Sequence, residues 1–421
     1  MNTVSSDNKA IHYSTQVKWE LTHHDRRSAN SIPNIFFKAK KLQIKQVLSK
    51  GTLAMKRLQG DREYTATEIL QSENVSEIQR FNEGHFVFKH IRNSPPYLLL
   101  CRKELHAMIR QLGCPTWFMS LSAADTKWVD LIEILREGED DRYKDVPVED
   151  LPWTYTAELV SKNPVICARY FNNRSEKFIR NVLMSDHNPI GIVQDYAYRV
   201  EFQFRGSPHL HMLIWCQDAP NIDMSPDEIV AYIDQYVSCS VDVPDDCIPF
   251  LEMQRHLHTK TCEKSKVQSV LSKCRFGFDI PPMKKTSILE PLTAEEESQR
   301  KPSLKRYFEI KAKLREMKGG CDMSLEELFS DLKCSEEQYI MAIRSTLKEK
   351  KIFLKRSCNE IRINPYMKNL LGAWKANHDI QFVMDPYACV HYISEYITKN
   401  TKGMSEFIHL FQLSMKRCNI V

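Results

Sequence analysis

The stretch "RGSPHLHMLIW", Arg205 to Trp215, decides how this chain is read. It opens on a Gly-Ser-Pro turn and continues as an apolar run interrupted only by two histidines, His209 and His211. Side chains alternate faces along a strand. His209 and His211 therefore point to one side, and Leu210, Met212 and Ile214 point largely to the other. Two imidazoles on one face is the arrangement a ligand pair needs. The plain alternative is a pair of hydrogen-bonded histidines on a half-buried strand.

The segment just before it, GIVQDYAYRVEFQF, reads as a partner strand joined to SPHLHMLIWC by the short RGSP turn. Glu201, Gln203 and Arg205 share one face of that strand, and the turn can carry this face alongside the two histidines. Two neutral imidazoles with one oxygen, from Glu201 or Gln203, leave open positions on a divalent ion. Mg²⁺ or Mn²⁺ suits such a mixed set in phosphoryl transfer. A histidine-triad hydrolase would carry a third histidine two positions on, where Leu213 stands.

The 421 residues are 42% hydrophobic and 27% charged, an ordinary soluble composition with apolar material for two or three cores. The longest apolar runs, such as PYLLLC from Pro96 to Cys101, are too short to span a bilayer, and the polar first residues are not a signal peptide. An intracellular protein without membrane attachment is expected. Its thirteen cysteines then read as thiols or metal ligands and not as a disulfide framework.

Net charge is only +5, but it is unevenly placed. Residues 1–60 hold eleven Lys or Arg against three acids, and Gln254 to Lys285 hold eight against two. Both are candidate phosphate-facing surfaces, or simply solvated faces. Glu133 to Asp150 is acidic and reads as an exposed linker.

Residues 10–85 have helical spacing, which predicts a basic helical lead-in. CRKELHAMIRQLG predicts a helix stopped at Gly113, TWFMSLSAAD a strand, and ARYFNNRSEKFIRNVLM a helix. Between residues 290 and 355 the chain is helical and charged. Ser324 with Glu327 and Ser335 with Gln338 have capping-box spacing, so two short helices should begin there.

Two further constellations carry chemistry. In CVHYISEYITKN, Tyr392, Tyr396 and Lys399 are spaced i, i+4, i+7 and share one stripe of a helix. Structurally this is an amphipathic helix packed on a core. Chemically, a phenol can attack a phosphodiester once a metal polarises the phosphate. The second is His256-Leu-His258 followed by Cys262 and Cys274. Thiolates and imidazoles suit a structural, tetrahedral Zn²⁺, although the spacing is not that of a C₂H₂ finger. Unbound cysteines and surface histidines are the alternative, and whether both histidines would ligate is open. Arg255, Lys260, Lys264, Lys273 and Arg275 would surround such a site and grip DNA.

Together these motifs resemble the HUH nucleases, and more closely the Rep domain of Helitron transposases, the Helitron helicase-like N-terminal module. The resemblance also takes in TWFMSLSAAD (Thr116 to Asp125), RVEFQFRGSPHLHMLIW (Arg199 to Trp215), QRHLHTKTCEK with CRFGFDIPP, and AWKANHDIQFVMDPYACVHYISEYITK (Ala373 to Lys399). It runs over roughly residues 30 to 400, in the order of the family. It implies a single-stranded DNA endonuclease and strand transferase for rolling-circle transposition, working in the nucleus. His209 and His211, with Glu201 or Gln203, resemble the metal site, and Tyr392 and Tyr396 match the two nucleophilic tyrosines. Lys399 matches the trailing lysine. Arg205 joins the DNA-facing set.

The implied architecture is α+β: a central antiparallel sheet of the HUH/Rep kind flanked by helices, with a zinc loop and a helical insertion. Expected boundaries are a basic helical region at 1–85, the first part of the nuclease core at 86–245, and a zinc-binding basic loop at 246–290. A helical insertion at 291–355 and the completion of the core at 356–421 follow. No G-x-x-x-x-G-K-[ST] phosphate loop occurs, which departs from the full Helitron protein, so the expectation is either a nuclease-only fragment or a decayed or domesticated copy with a helicase supplied in trans. The competing expectation is a catalytically inactive or domesticated DNA-binding module. A third is a protein-interaction remnant built on the 290–355 helices, which would show little salt-dependent DNA binding.

Overall fold

The computed structural model describes residues 11–59, 89, 95–137, 143–202, 206–260, 262, 274–317 and 322–385. Among them, one compact unit takes the residues up to Gly113 together with Asp125–Tyr170. A second takes Cys114–Ala124 and the residues from Phe171 onward.

The first unit is helical. Its helices are Tyr13–Thr22, Arg27–Asn30, Ile32–Gln59, Pro95–Leu112, Val129–Arg136 and Trp153–Lys162, with the start of Pro164–Phe178. Proline opens two of them, as its fixed φ and missing N–H favour at a first turn. Gly113, with φ +80°, ends Pro95–Leu112 in the left-handed conformation that glycine adopts without strain. An ion pair between Lys38 and Glu20 ties the first helix to the long third one, and Lys41 and Lys45 lie over the Tyr13 ring. The acidic stretch expected as a linker starts inside a helix. Val129–Arg136 buries Leu131, Ile132 and Leu135, and this apolar stripe sets the local structure while Glu133 faces solvent.

The second unit is built on a four-stranded sheet of β1 (Trp117–Ser122), β2 (Val193–Phe202), β3 (Pro208–Cys216) and β6 (His378–Phe382). The order is β2-β3-β1-β6 and every pairing is antiparallel. The histidine strand therefore occupies one of the two central positions, and its pairing with β2 is the one that the alternating pattern and the short turn predict. Gly206, at φ +89° in the β2–β3 connection, takes a conformation that any other residue would adopt only with strain.

One face of the sheet is apolar. Trp117, Met119 and Leu121 of β1, Leu210, Met212 and Ile214 of β3 and Ile380 of β6 are essentially inaccessible to solvent. Each such side chain contributes roughly 1.5–3 kcal/mol on burial. Tyr232, on the helix Pro226–Tyr236, stacks on Trp117 at 5.6 Å, and the Trp117 ring N–H donates to the Ile190 carbonyl at 3.0 Å. Trp374 donates to the Ser122 carbonyl at 3.0 Å and packs against Phe178, which precedes a short π-helical extension, Ile179–Leu183.

Between β3 and β6 the chain builds a second core. Met283, Ile310, Leu314, Leu328, Tyr339, Ile343, Phe353 and Ile361 form one buried cluster under the helices Arg300–Glu316, Leu325–Asp331 and Glu336–Arg344. A two-stranded ribbon, β4 (Ser287–Leu289) with β5 (Lys351–Phe353), lies beside it in sequence. Both expected capping boxes are present, at Ser324 with Glu327 and Ser335 with Gln338. Since the cluster runs from Met283 to Ile361, the helical segment and its flanks share one core. Among the described residues no helix is long and apolar enough to cross a membrane.

Candidate functional site

The opposite face is mixed: Leu213 and Trp215 are buried on it, while its end nearer the β2–β3 connection is polar. Ladder register places Glu201 of β2 directly across from His209, and Arg199 across from His211. On the other side Ser122 of β1 faces His209 and Ser120 faces His211. Directly opposed residues of an antiparallel pair share a face, so these six side chains form one polar field. Asp379 of β6 stands opposite Ser120 and extends it.

Within this field the two imidazole rings are 4.7 Å apart between centroids. Nε2 of His211 lies 3.4 Å from Oε2 of Glu201, and Nδ1 of His209 lies 3.0 Å from Oγ of Ser122. His211 is buried and Phe118 lies against its ring, with centroids 6.0 Å apart. Burial, helped by the neighbouring His211, pushes His209 down to about 4, so its ring is neutral at physiological pH. Burial also pushes the Asp379 carboxyl up to about 6. The field thus sets a neutral His209 ring beside His211, which in turn contacts the Glu201 carboxylate.

The second cluster lies farther along the same unit. One ligand atom from each of His256, His258, Cys262 and Cys274 falls within 4.8 Å of all the others. Sγ of Cys262 is 3.6 Å from Nδ1 of His258, and Sγ of Cys274 is 3.4 Å from Nε2 of His256. Cys262 and Cys274 are not joined in a disulfide. Lys260 and Arg275 are exposed beside the cluster, and the Arg275 guanidinium lies over the exposed Phe276 ring at 4.6 Å. Arg255 instead pairs with Glu252, at 3.2 Å.

Of the residues singled out from the sequence, the structure brings together His209, His211 and Glu201, and separately His256, His258, Cys262 and Cys274. Gln203, Arg205, Lys264, Lys273, Tyr392, Tyr396 and Lys399 lie outside the described residues. Sequence reasoning missed Ser120 and Ser122, although their one-residue spacing inside TWFMSLS carries the same period-two signal as the histidines. It also missed Asp379, which only the β1–β6 pairing brings onto this face.

Residues 17–214, just under half of the chain, match the family model described as "Helitron helicase-like domain at N-terminus". The match takes in β1, β2, both histidines of β3 and Glu201, and it ends before the His/Cys cluster. No curated protein and no solved structure matches the chain. The strand pair that carries His209 and His211 therefore lies within residues 17–214, the part of the chain that is similar to the Helitron helicase-like N-terminal domain.

Proposed function

We propose that this chain is a metal-assisted, single-stranded DNA endonuclease and strand transferase of the HUH, Rep-like kind, serving rolling-circle transposition in the nucleus. The observation that carries this reading is the convergence of His209, His211 and Glu201 on one face of adjacent strands. Two imidazoles with a single carboxylate can hold a divalent cation, and the resemblance to the HUH nucleases implies Mg²⁺ or Mn²⁺. Bound there, the cation would polarise a phosphodiester and stabilise the charge that develops on it. Glu201 is preferred over Gln203 as the oxygen donor because it sits opposite His209 and reaches His211. Ser122 engages Nδ1 of His209 and so orients the ring, with Nε2 as the ligand nitrogen.

Tyr392 and Tyr396 supply the nucleophiles, on the strength of their helical spacing and the family pattern. The phenol oxygen of one attacks phosphorus as its proton is lost, and the bond to the 3′-oxygen breaks. The products are a 5′-phosphotyrosine and a 3′-hydroxyl. Lys399 favours the phenoxide and the charged phosphate. Since the covalent link conserves the phosphodiester bond energy, the second tyrosine can serve strand joining without ATP. Arg205, Lys260, Lys273 and Arg275 would hold the DNA backbone.

The test is incubation of the protein with Mn²⁺ and end-labelled oligonucleotides bearing candidate transposon termini. An SDS-resistant protein–DNA adduct that disappears in the His209→Ala/His211→Ala variant is the expected result. Salt-dependent binding without any adduct would instead establish a DNA-binding module that has lost cleavage.

A further inference from the structure

The His/Cys cluster lies outside the residues matched to the Helitron domain, and the nuclease reading does not use it. We propose that His256, His258, Cys262 and Cys274 bind one structural Zn²⁺, which locks the chain on both sides of the Cys262–Cys274 interval to the inserted helical core.

Ligand spacing is the first argument. Tetrahedral zinc with ordinary Zn–S and Zn–N bonds sets sulfur and nitrogen ligands about 3.5 Å apart. The two Cys–His pairs stand at 3.6 and 3.4 Å, with every pair within 4.8 Å. The set is chemically balanced, since two thiolates neutralise Zn²⁺ and two neutral imidazoles complete the shell.

The surroundings are those of a metal site. Nε2 of His258, the nitrogen turned away from Cys262, is 3.3 Å from Oδ1 of Asp279. Asp279 is 2% exposed and is anchored by the Arg362 guanidinium at 2.5 Å. A carboxylate on the outer nitrogen of a ligating histidine fixes the tautomer and orients the ring. The backbone N–H of Thr259 donates to Sγ of Cys262 at 3.3 Å, and that sulfur also lies 3.2 Å from the Thr259 carbonyl. Lys311, on the helix Arg300–Glu316, reaches the carbonyls of Gly277 and Asp279, and the His256 amide donates to the Arg362 carbonyl at 2.7 Å. Three distant segments thus meet at the cluster. Closing the intervening loop through a metal removes conformational freedom from the unfolded chain.

Metal content of the purified, reduced full chain tests this without any cleavage assay, so its failure is independent of the nuclease reading. About one zinc per chain is expected after dialysis, retained in His209→Ala/His211→Ala and lost in Cys262→Ser/Cys274→Ser. Cobalt exchanged into the unmutated chain should show thiolate-to-metal charge transfer and intense tetrahedral d–d bands, a readout that does not depend on how the cysteine variant folds. The proposal is overturned by a chain that binds neither metal, by zinc retained in the double serine variant, or by a cobalt spectrum without thiolate bands.

Discussion

Nε2 of His211 lies 3.4 Å from Oε2 of Glu201 across the β2–β3 ladder, so a carboxylate and an imidazole from neighbouring strands converge on one point. Glu201→Gln keeps the shape of this contact and removes its charge. We expect the apparent affinity for the activating cation to fall on the order of 10–100-fold. Adduct yield titrated against Mn²⁺ measures this. An unchanged titration would exclude Glu201 as a ligand and leave Gln203 as the oxygen donor.

The two tyrosines should separate by role. Tyr392→Phe and Tyr396→Phe each remove one phenol with little change in bulk, so one variant should lose the initial adduct and the other should keep it but fail to complete strand joining. Gel analysis of labelled donor and acceptor strands reads both steps. Equal adduct yield from the doubly substituted chain would remove both residues from the chemistry.

The apolar face of the sheet sets its stability. Leu210 is fully buried between β1 and β2, and Leu210→Ala should cost about 2–5 kcal/mol, seen in urea unfolding as a lower midpoint. A loss below about 1 kcal/mol would mean that the site can collapse around the smaller side chain.

His378 provides a pH signature. It is fully buried and its Nε2 accepts the Met367 amide at 3.1 Å, so that nitrogen must be unprotonated in the native state. Burial pushes it down to about 4 from an ordinary value of 6.5. Below pH 6.5 the unfolded chain takes up a proton that the folded chain refuses, so stability falls as pH drops from 6.5 toward 4 and this contribution levels off beneath. The total is on the order of 3 kcal/mol. Thermal melts across that range should show the slope, and His378→Gln should lessen it, the similarly depressed His209 keeping its own share.

Exposed cations beside the His/Cys cluster should act on DNA through phosphate contacts. Lys260→Ala and Arg275→Ala should each weaken single-strand binding about uniformly across sequences and lower the salt slope by about 1. Binding isotherms between low and physiological salt measure it. A sequence-dependent loss would point to base contact instead, with the Arg275–Phe276 pair as a stacking surface.

What the sequence alone determined was local. The period-two pattern around His209 and His211, the glycine turn at Gly206 and the serine boxes at Ser324 and Ser335 each depend on neighbours a few residues away, and all are read correctly from composition and spacing. The family match rests on the same kind of ordered local pattern. The helix boundary inside Glu133–Asp150 was hidden because acidic composition masks a stripe of only three buried residues.

Tertiary structure decided the partners. Nothing near His209 indicates that β1, some ninety residues earlier, would set Ser122 against its ring, or that β6 would bring Asp379 to the same face. Nor does the His256–Cys274 spacing announce Asp279 held by Arg362, 83 residues away in sequence. The reason is physical: hydrogen-bonding edges of strands are nearly alike. Which strand joins which is therefore settled by how the apolar faces of Trp117, Met212 and Ile380 pack into one core, and the polar side chains on the reverse face are carried into register by that choice.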